Sequence, residues 1–275
     1  MKNFLFALRY LRKLRGGTVA RVVSLSLGLA VGLLVFSYAN YNLTSDRCFR
    51  DGDRIYQLWV HYNAPQMTGY SSSLQAPIAP AIEAATRLWG TTSDDVVRGD
   101  NSFPMQYILA DTMFFDVLGF DVLQGDPHRA LAQENQVMIS ESAARTIFGK
   151  KDPVGELLLL KGTDSLTVSG VFRDPDPNQH LGKFNMLRSF TSWRGGDSFA
   201  SYVKLREGVQ IGQVEAQAET FIDRHELRGM MEEWGMKWYF FPITESSRVD
   251  SSVELISWVL MALAALTLFV AAGNF

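Results

Sequence analysis

The sequence predicts an α+β membrane protein: one helix through the bilayer, a large extracytoplasmic body of two α+β subdomains, and a second helix at the C-terminus that re-enters the bilayer. Three observations carry this reading. From Val22 to Ser45 there is no Asp, Glu, Lys or Arg, and the run VVSLSLGLAVGLLVFSYA is almost wholly apolar or small. From Leu255 to Phe275 the chain is again uncharged. A bilayer core about 30 Å thick takes about 20 apolar helical residues, so each run is long enough to cross it. The third observation is charge. Lys2, Arg9, Arg12, Lys13, Arg15 and Arg21 precede the first run with no acid before Asp46. With a net charge of −3 for the whole chain, +6 in that leader leaves −9 for the remainder. Basic residues beside a first membrane helix stay in the cytoplasm, so the acidic body lies outside. A body of that charge excludes nucleic acid as a partner.

Residues 1–18 form a cytoplasmic basic segment. Phe4, Leu5, Leu8 and Leu11 share one helical face, and Arg9, Arg12, Lys13 and Arg15 anchor it to anionic headgroups of membrane lipid. A charge cluster that only sets topology is the plain alternative. Gly16-Gly17 is expected to break this helix before membrane helix 1, residues 19–42. A cleaved signal peptide ending at Ser37-Tyr38-Ala39 is disfavoured, because the leader and the apolar run are both too long. Cys48, the single cysteine, excludes an internal disulfide and a cysteine zinc cluster.

Residues 43–252 are the outer body. DRIYQLWVHY (53–62) alternates and is rich in aromatic and β-branched residues, hence a strand. PIAPAIEAATRLW (77–89) reads as a helix with Pro77 and Pro80 in its first turn. FPMQYILAD (103–111) is a strand, and TMFFDVLGF (112–120) a short helix stopped by Gly119. QVMISESAARTIFG (136–149) passes from strand to helix, with Ser140 as N-cap and Gly149 as the stop. ELLLLKGTDSLTVSGVFRD (156–174) is a hairpin turning at 162–164. KFNMLRSF (183–190), SFASYVKLR (198–206) and KWYFFPITE (237–245) are strands, and VQIGQVEAQAETFIDRHEL (209–227) is a helix. Residues 43–100 and 196–252 are expected to form one subdomain, with 101–195 inserted as a β-rich second. Membrane helix 2 follows at 253–275, with Trp258 at headgroup level.

RTIFGKKDPVGELLLL (145–160) carries glycines and a lysine pair, but a phosphate loop needs G-x-x-x-x-G-K-[ST] after a strand and before a helix. Here Gly149 and Gly155 are one residue too far apart, Glu156 and Leu157 follow, and the helix enters while the strand leaves. Asp152-Pro153-Val154-Gly155 is read as a turn with solvated lysines. His61, His128, His180 and His225 show no metal-ligand spacing, and no G-x-S-x-G occurs. The aspartates of DPDPNQH (174–180) read as turn chemistry. No catalytic residue, cofactor site or metal site is assigned, and the chain is not read as an enzyme. Met230, Met231, Trp234 and Trp238 form a soft apolar set suited to partner contact.

SDRCFRDGDRIYQLWV after the first span, MFFDVLGFDVLQGDP, QVMISESAARTIFGKKDPVGELLLL and LTVSGVFRDPDPNQHLGKF resemble, in order and spacing, the outer domain of MacB/FtsX-type ABC transporter permeases, particularly the Bacteroidetes-like group. The resemblance runs in patches along 1–275. It implies a MacB-like periplasmic core fold in the bacterial cytoplasmic (inner) membrane, a permease that works as a dimer with a second copy, and a cytoplasmic ABC-type ATPase that supplies energy. It implies mechanotransmission or efflux of peptide, drug or lipoprotein, with a periplasmic or outer-membrane partner. Such permeases carry three more spans after the outer domain. The chain reaches Phe275 within what would be the second, so it reads as a fragment. The competing reading is the extracytoplasmic ligand-sensing domain of a membrane signalling receptor, which has the same topology; a membrane-tethered enzyme is a third.

Overall fold

The computed structural model describes residues 16–64, 67–71, 80–160, 165–192, 199–248 and 251–273. The chain divides into a helical unit, up to Ser45 and from Arg248 onward, and a compact unit from Asp46 to Ser247.

In chain order, helix α1 (Gly16–Leu43) leads to strands β1 (Ile55–Ala64), β2 (Met67–Ser71), β3 (Ile82–Arg98) and β4 (Asn101–Ala110). Helix α2 (Phe114–Leu118), strand β5 (Val122–Gly125), helix α3 (Pro127–Leu131), strand β6 (Gln136–Ser140) and helix α4 (Glu141–Phe148) follow. Then come β7 (Leu157–Leu160), β8 (Ser165–Phe172), β9 (Met186–Ser189) and β10 (Ala200–Leu205). Helices α5 (Ile211–Arg224) and α6 (Arg228–Glu233), strand β11 (Lys237–Pro242) and helix α7 (Ser251–Gly273) complete it.

In the helical unit, α1 and α7 pack along a seam with 3–4 spacing. Leu25, Gly28, Gly32, Val35, Ala39 and Asn42 turn inward on α1, and Ser257, Leu260, Met261, Ala264 and Leu268 on α7. A Cβ at Gly32 would lie 3.0 Å from Leu268 Cδ2, the close approach that small residues permit between membrane helices. The outward faces are apolar, with Leu34 71% and Phe269 77% exposed, as lipid requires and water does not. Within α1, Leu25–Leu43 is long and apolar enough to span a bilayer; the apolar stretch of α7, Leu255–Phe269, is shorter. Gly16 and Gly17 are the first described residues of α1, and the leader on the other side of the expected break lies outside the described residues. Arg9, Arg12, Lys13 and Arg15 lie outside the described residues.

Among the described residues the compact unit is built on one 11-stranded sheet, nine strands of which follow the order β11-β1-β10-β3-β4-β9-β6-β8-β5, with β2 paired to β1 and β7 to β3 and β8 off that path. Strands from 43–100 and 196–252 occupy one side of this order and strands from 101–195 the other, and the pairing of β3 with β4 joins them. The far part of β3 also pairs with β7 (Val96↔Leu160), and β7 pairs with β8. Strands β3, β4, β9, β6, β8 and β7 therefore close into a hydrogen-bonded ring. Its filling is Val96, Met105, Val137, Ile139, Leu158, Leu160, Leu166, Val168 and Met186, against which α4 lays Ala143, Ile147 and Phe148. A ring this small is filled by side chains. A second core, rich in phenylalanine (Phe114, Phe115, Phe172, Phe184), packs α2 and α3 on the outer face of the same strands. Gly125 and Gly170 face each other across β5 and β8; a Cβ on Gly170 would lie 2.6 Å from the Gln124 carbonyl oxygen.

The helix expected at 77–89 is a correction. Residues 82–98 are strand β3, paired with β10 through Leu88↔Ala200 and with β4 through Leu88↔Ala110. Alanine and glutamate favour a helix only weakly, and strand partners on both sides override that preference. Residues 72–79, with Pro77, lie outside the described residues. Lys150 and Lys151 are both exposed, as the turn reading expected, and Lys151 Nζ lies 2.7 Å from Glu156, which Arg98 also reaches at 3.3 Å. Ser140 caps α4 by accepting from Ala143 N, as expected.

Candidate functional site

Two places in the compact unit combine unusual chemistry with position. The first is a buried joint at its first residue. Asp46 follows α1 by three residues and has φ 64°, a left-handed conformation that Asp tolerates better than most residues. Its side chain is wholly buried. A buried carboxylate is tolerated only with partners, and Asp46 Oδ1 has two: the backbone N–H of His180 at 2.7 Å and His180 Nδ1 at 2.9 Å. Asp46 N donates to the Asn178 carbonyl at 3.0 Å. On the far side of the imidazole, Nε2 is 2.8 Å from Tyr202 Oη. Burial, and then the Asp46 charge, push the Tyr202 phenol well above its ordinary range. Tyr202 therefore keeps its proton, and the imidazole bridges the phenol oxygen on Nε2 and the Asp46 carboxylate on Nδ1.

Five residues further on, Asp51 (φ 58°) accepts from Lys204 Nζ at 2.8 Å and pairs with Arg54 at 3.0 Å. The Lys204 hydrogen bond, against a smaller opposing effect of burial, holds the Asp51 carboxyl below its usual range. Lys204 also reaches the Asp116 carbonyl, and Arg54 reaches Glu83 at 3.1 Å. Residues 46–54 are thus fastened to β10 and to the 178–180 loop, and through Lys204 to the middle of α2. Cys48 lies exposed in this segment, and burial, Asp176 and Asp46, in that order, push its thiol up to about 11.

The second place is the open edge of the sheet. Helix α5 covers one face of β1, β10 and β11 with Val214, Ala218 and Phe221. A cavity of about 520 Å³ opens where α5, α6 and the start of β11 meet, lined by Ile222, Met231, Met236, Trp238, Tyr239 and charged Glu219, Arg228, Glu232 and Lys237. Of the four residues singled out in the sequence, Met231 and Trp238 line this groove, while Met230 and Trp234 stand on the surface, 47% and 46% exposed. Sequence reasoning missed the joint: Asp46 and His180 are 134 positions apart, and no local spacing announces them. Among the described residues no group of three or more His, Cys, Asp or Glu is arranged to hold a metal ion.

The family model for the MacB-like periplasmic core domain matches residues 18–221. The chain belongs to that family. The match begins within α1 and ends within α5, so the joint and the ring lie inside the MacB-like core, and α6 and β11 lie beyond it. A crystallised domain of a Porphyromonas gingivalis protein assigned as a permease shares 26% identity over 70% of this chain and 90% of its own, with a TM-score of 0.57. The periplasmic region of MacB from Actinobacillus actinomycetemcomitans is 17% identical over 74% of this chain and 94% of its own, with a TM-score of 0.49. The extracellular domain of the ABC-type transporter YknZ from Gram-positive bacteria is 15% identical over 67% and 99%, with a TM-score of 0.44. No curated protein sequence matches the chain. The chain is thus the MacB-like periplasmic domain of a MacB/FtsX-type permease joined to an apolar helix, the arrangement of an inner-membrane protein with a periplasmic domain.

Proposed function

We propose that this chain is the non-catalytic permease part of an ABC transporter, in which a separate cytoplasmic ATPase drives motion of the periplasmic domain. The family match carries the reading, because its range starts in the apolar helix and extends through most of the outer domain. The N-terminus lies inside, held at the membrane surface by Arg9, Arg12, Lys13 and Arg15, and two copies work together. The task is export or mechanotransmission of peptide, drug or lipoprotein.

The joint supplies a physical route. A movement of α1 reaches Asp46 within three residues, and a buried, doubly bonded carboxylate cannot slip without losing both donors. Leaving such a group unpaired costs several kcal/mol, so the 46–54 segment is favoured to move together with the 178–180 loop and β10. His180 and Tyr202 are positioning residues in this account. Their task is to hold the segment, and they act on no substrate.

Affinity capture of the full-length permease from its own membranes is expected to bring an ABC-class ATPase with it. A signalling kinase or methyl-accepting output in its place would establish the receptor reading instead. Sidedness is read separately: an impermeant label should reach Cys48 in intact cells and should not reach the N-terminus.

A further inference from the structure

The groove beyond the family-matched region has features that the transport reading leaves unused. Strand β11 ends the sheet: one side pairs with β1 from Tyr56↔Pro242 to His61↔Lys237, and among the described residues the other side pairs with no strand. Because successive residues direct their N–H and C=O to alternate sides, about half of these six residues present backbone donors and acceptors outward. Unprotected strand edges accept further strands, and this one, KWYFFP, has a single charge, at its first residue. The cavity of about 520 Å³ adjoins it. In its wall, the Trp238 indole Nε1 is buried without a hydrogen-bond acceptor. An indole N–H can only donate, so what this site lacks is an acceptor such as a carbonyl oxygen.

Charge completes the description. From Ile211 to Lys237 there are six acids and three bases. Arg228 is already engaged by Glu219 at 2.8 Å and by Asp223, which leaves Glu232 and Glu233 as acids on the exposed surface of α6. The groove's own lining balances Glu219 and Glu232 against Arg228 and Lys237, and the flanking Asp223 and Glu233 make the surroundings net negative around an apolar floor of Ile222, Met231, Met236 and Trp238.

We infer that β11 and this groove bind an extended, basic segment of a periplasmic partner protein as an added strand. Its backbone pairs with the free edge of β11, one carbonyl accepts from Trp238 Nε1, alternate apolar side chains enter the groove, and its cations face the α6 rim. Nothing here depends on the ATPase coupling, so the two readings fail separately.

The test uses the chain in lipid nanodiscs and fluorescent six-residue peptides with blocked ends. The reference peptide alternates Lys and Val. A Glu/Val peptide tests charge. Lys/Val peptides N-methylated on alternate amides, in each of the two registers, test strand pairing. Anisotropy is expected to show saturable binding of the Lys/Val peptide. The Glu/Val peptide and at least one N-methylated peptide should bind about tenfold or more weakly. Trp238→Phe, which keeps the ring and removes the donor, should weaken binding with an unchanged melting temperature. Glu232→Gln, at an exposed site, should weaken it less. Equal binding of the Glu/Val peptide, indifference to N-methylation in both registers, or no effect of Trp238→Phe would overturn the inference. So would self-association through β11 that the Lys/Val peptide does not displace, since a second copy would then be the occupant.

Discussion

In the ring that runs from β3 through β4, β9, β6 and β8 to β7, every strand has a neighbour on each side; in the half that runs from β3 through β10 and β1, the last strand, β11, has one among the described residues. Closure removes edges, and an open sheet must shorten, charge or cover them. The remaining free edge beside the ring, β5, is four residues long, whereas β11 has six and carries five aromatic or proline side chains in succession. The contrast separates two tasks. The closed ring resists deformation and suits a body that must move as one piece. The open half keeps strand-pairing capacity and apolar surface available to something else.

The largest expected effect breaks the joint that ties the entry segment to both halves. His180→Ala leaves the Asp46 carboxylate buried with its ring partner gone, and should lower unfolding stability by about 3 kcal/mol in denaturant titration. Tyr202→Phe removes one hydrogen bond and should cost about 1 kcal/mol. Equal losses would mean that the hydroxyl, and not the carboxylate, dominates. The comparison itself is sharpened by truncating one residue in each half. Leu158→Ala, in the ring and fully buried, should cost about 2–5 kcal/mol; Tyr239→Ala, 40% exposed on the edge strand, should cost within about 1 kcal/mol. If the edge substitution proved as costly, β11 would be structural and not available.

Cys48 reports on the joint without changing it. With its thiol pushed up to about 11 from 9.0, the thiolate fraction at pH 8 falls about a hundredfold, and maleimide should react correspondingly more slowly than with an ordinary cysteine. His180→Ala, by loosening the segment, should speed it. The smallest effect is the acid limb of stability. At Asp174, burial opposes ionisation, but hydrogen bonds from Ser142 and Ser140 outweigh it and hold the carboxyl below its ordinary 3.8. A depressed folded value means that this contribution is present above about pH 3.8 and lost as pH falls through the folded value. Asp174→Asn should flatten that limb by less than about 1 kcal/mol, because the site is exposed and screened.

Much of this was legible locally. Ser140 with Glu141, and Gly149 at the far end, announced α4 because capping depends on residues a few positions apart. The apolar outward faces of α1 and α7 followed from composition alone. What escaped depends on distance along the chain. EAATRL looks helical in isolation and becomes β3 only because β10 and β4 arrive on either side. The run Leu157–Leu160 gives no sign of alternation, yet Leu158 and Leu160 are buried and Leu157 and Leu159 are not, since β7 closes the ring. Asp126-Pro127 carried an unread signal: Asp126 caps α3 by accepting from His128 N at 3.0 Å, with Pro127 in the first turn. Of the four residues singled out for partner contact, Met231 and Trp238 line the groove and Met230 and Trp234 are exposed, a division that no local spacing in the sequence announces.

The account stands most directly on whether the outer domain is moved through the joint. Nitroxide labels at Lys150, exposed beside the ring, would be placed in both copies of the full-length permease, with Cys48 replaced by serine, and the permease reconstituted with its ATPase. The account predicts that the distance between labels changes when ATP is added and that folded His180→Ala protein loses most of that change. An unaltered distance in the parent, or the same change in the variant, would contradict it.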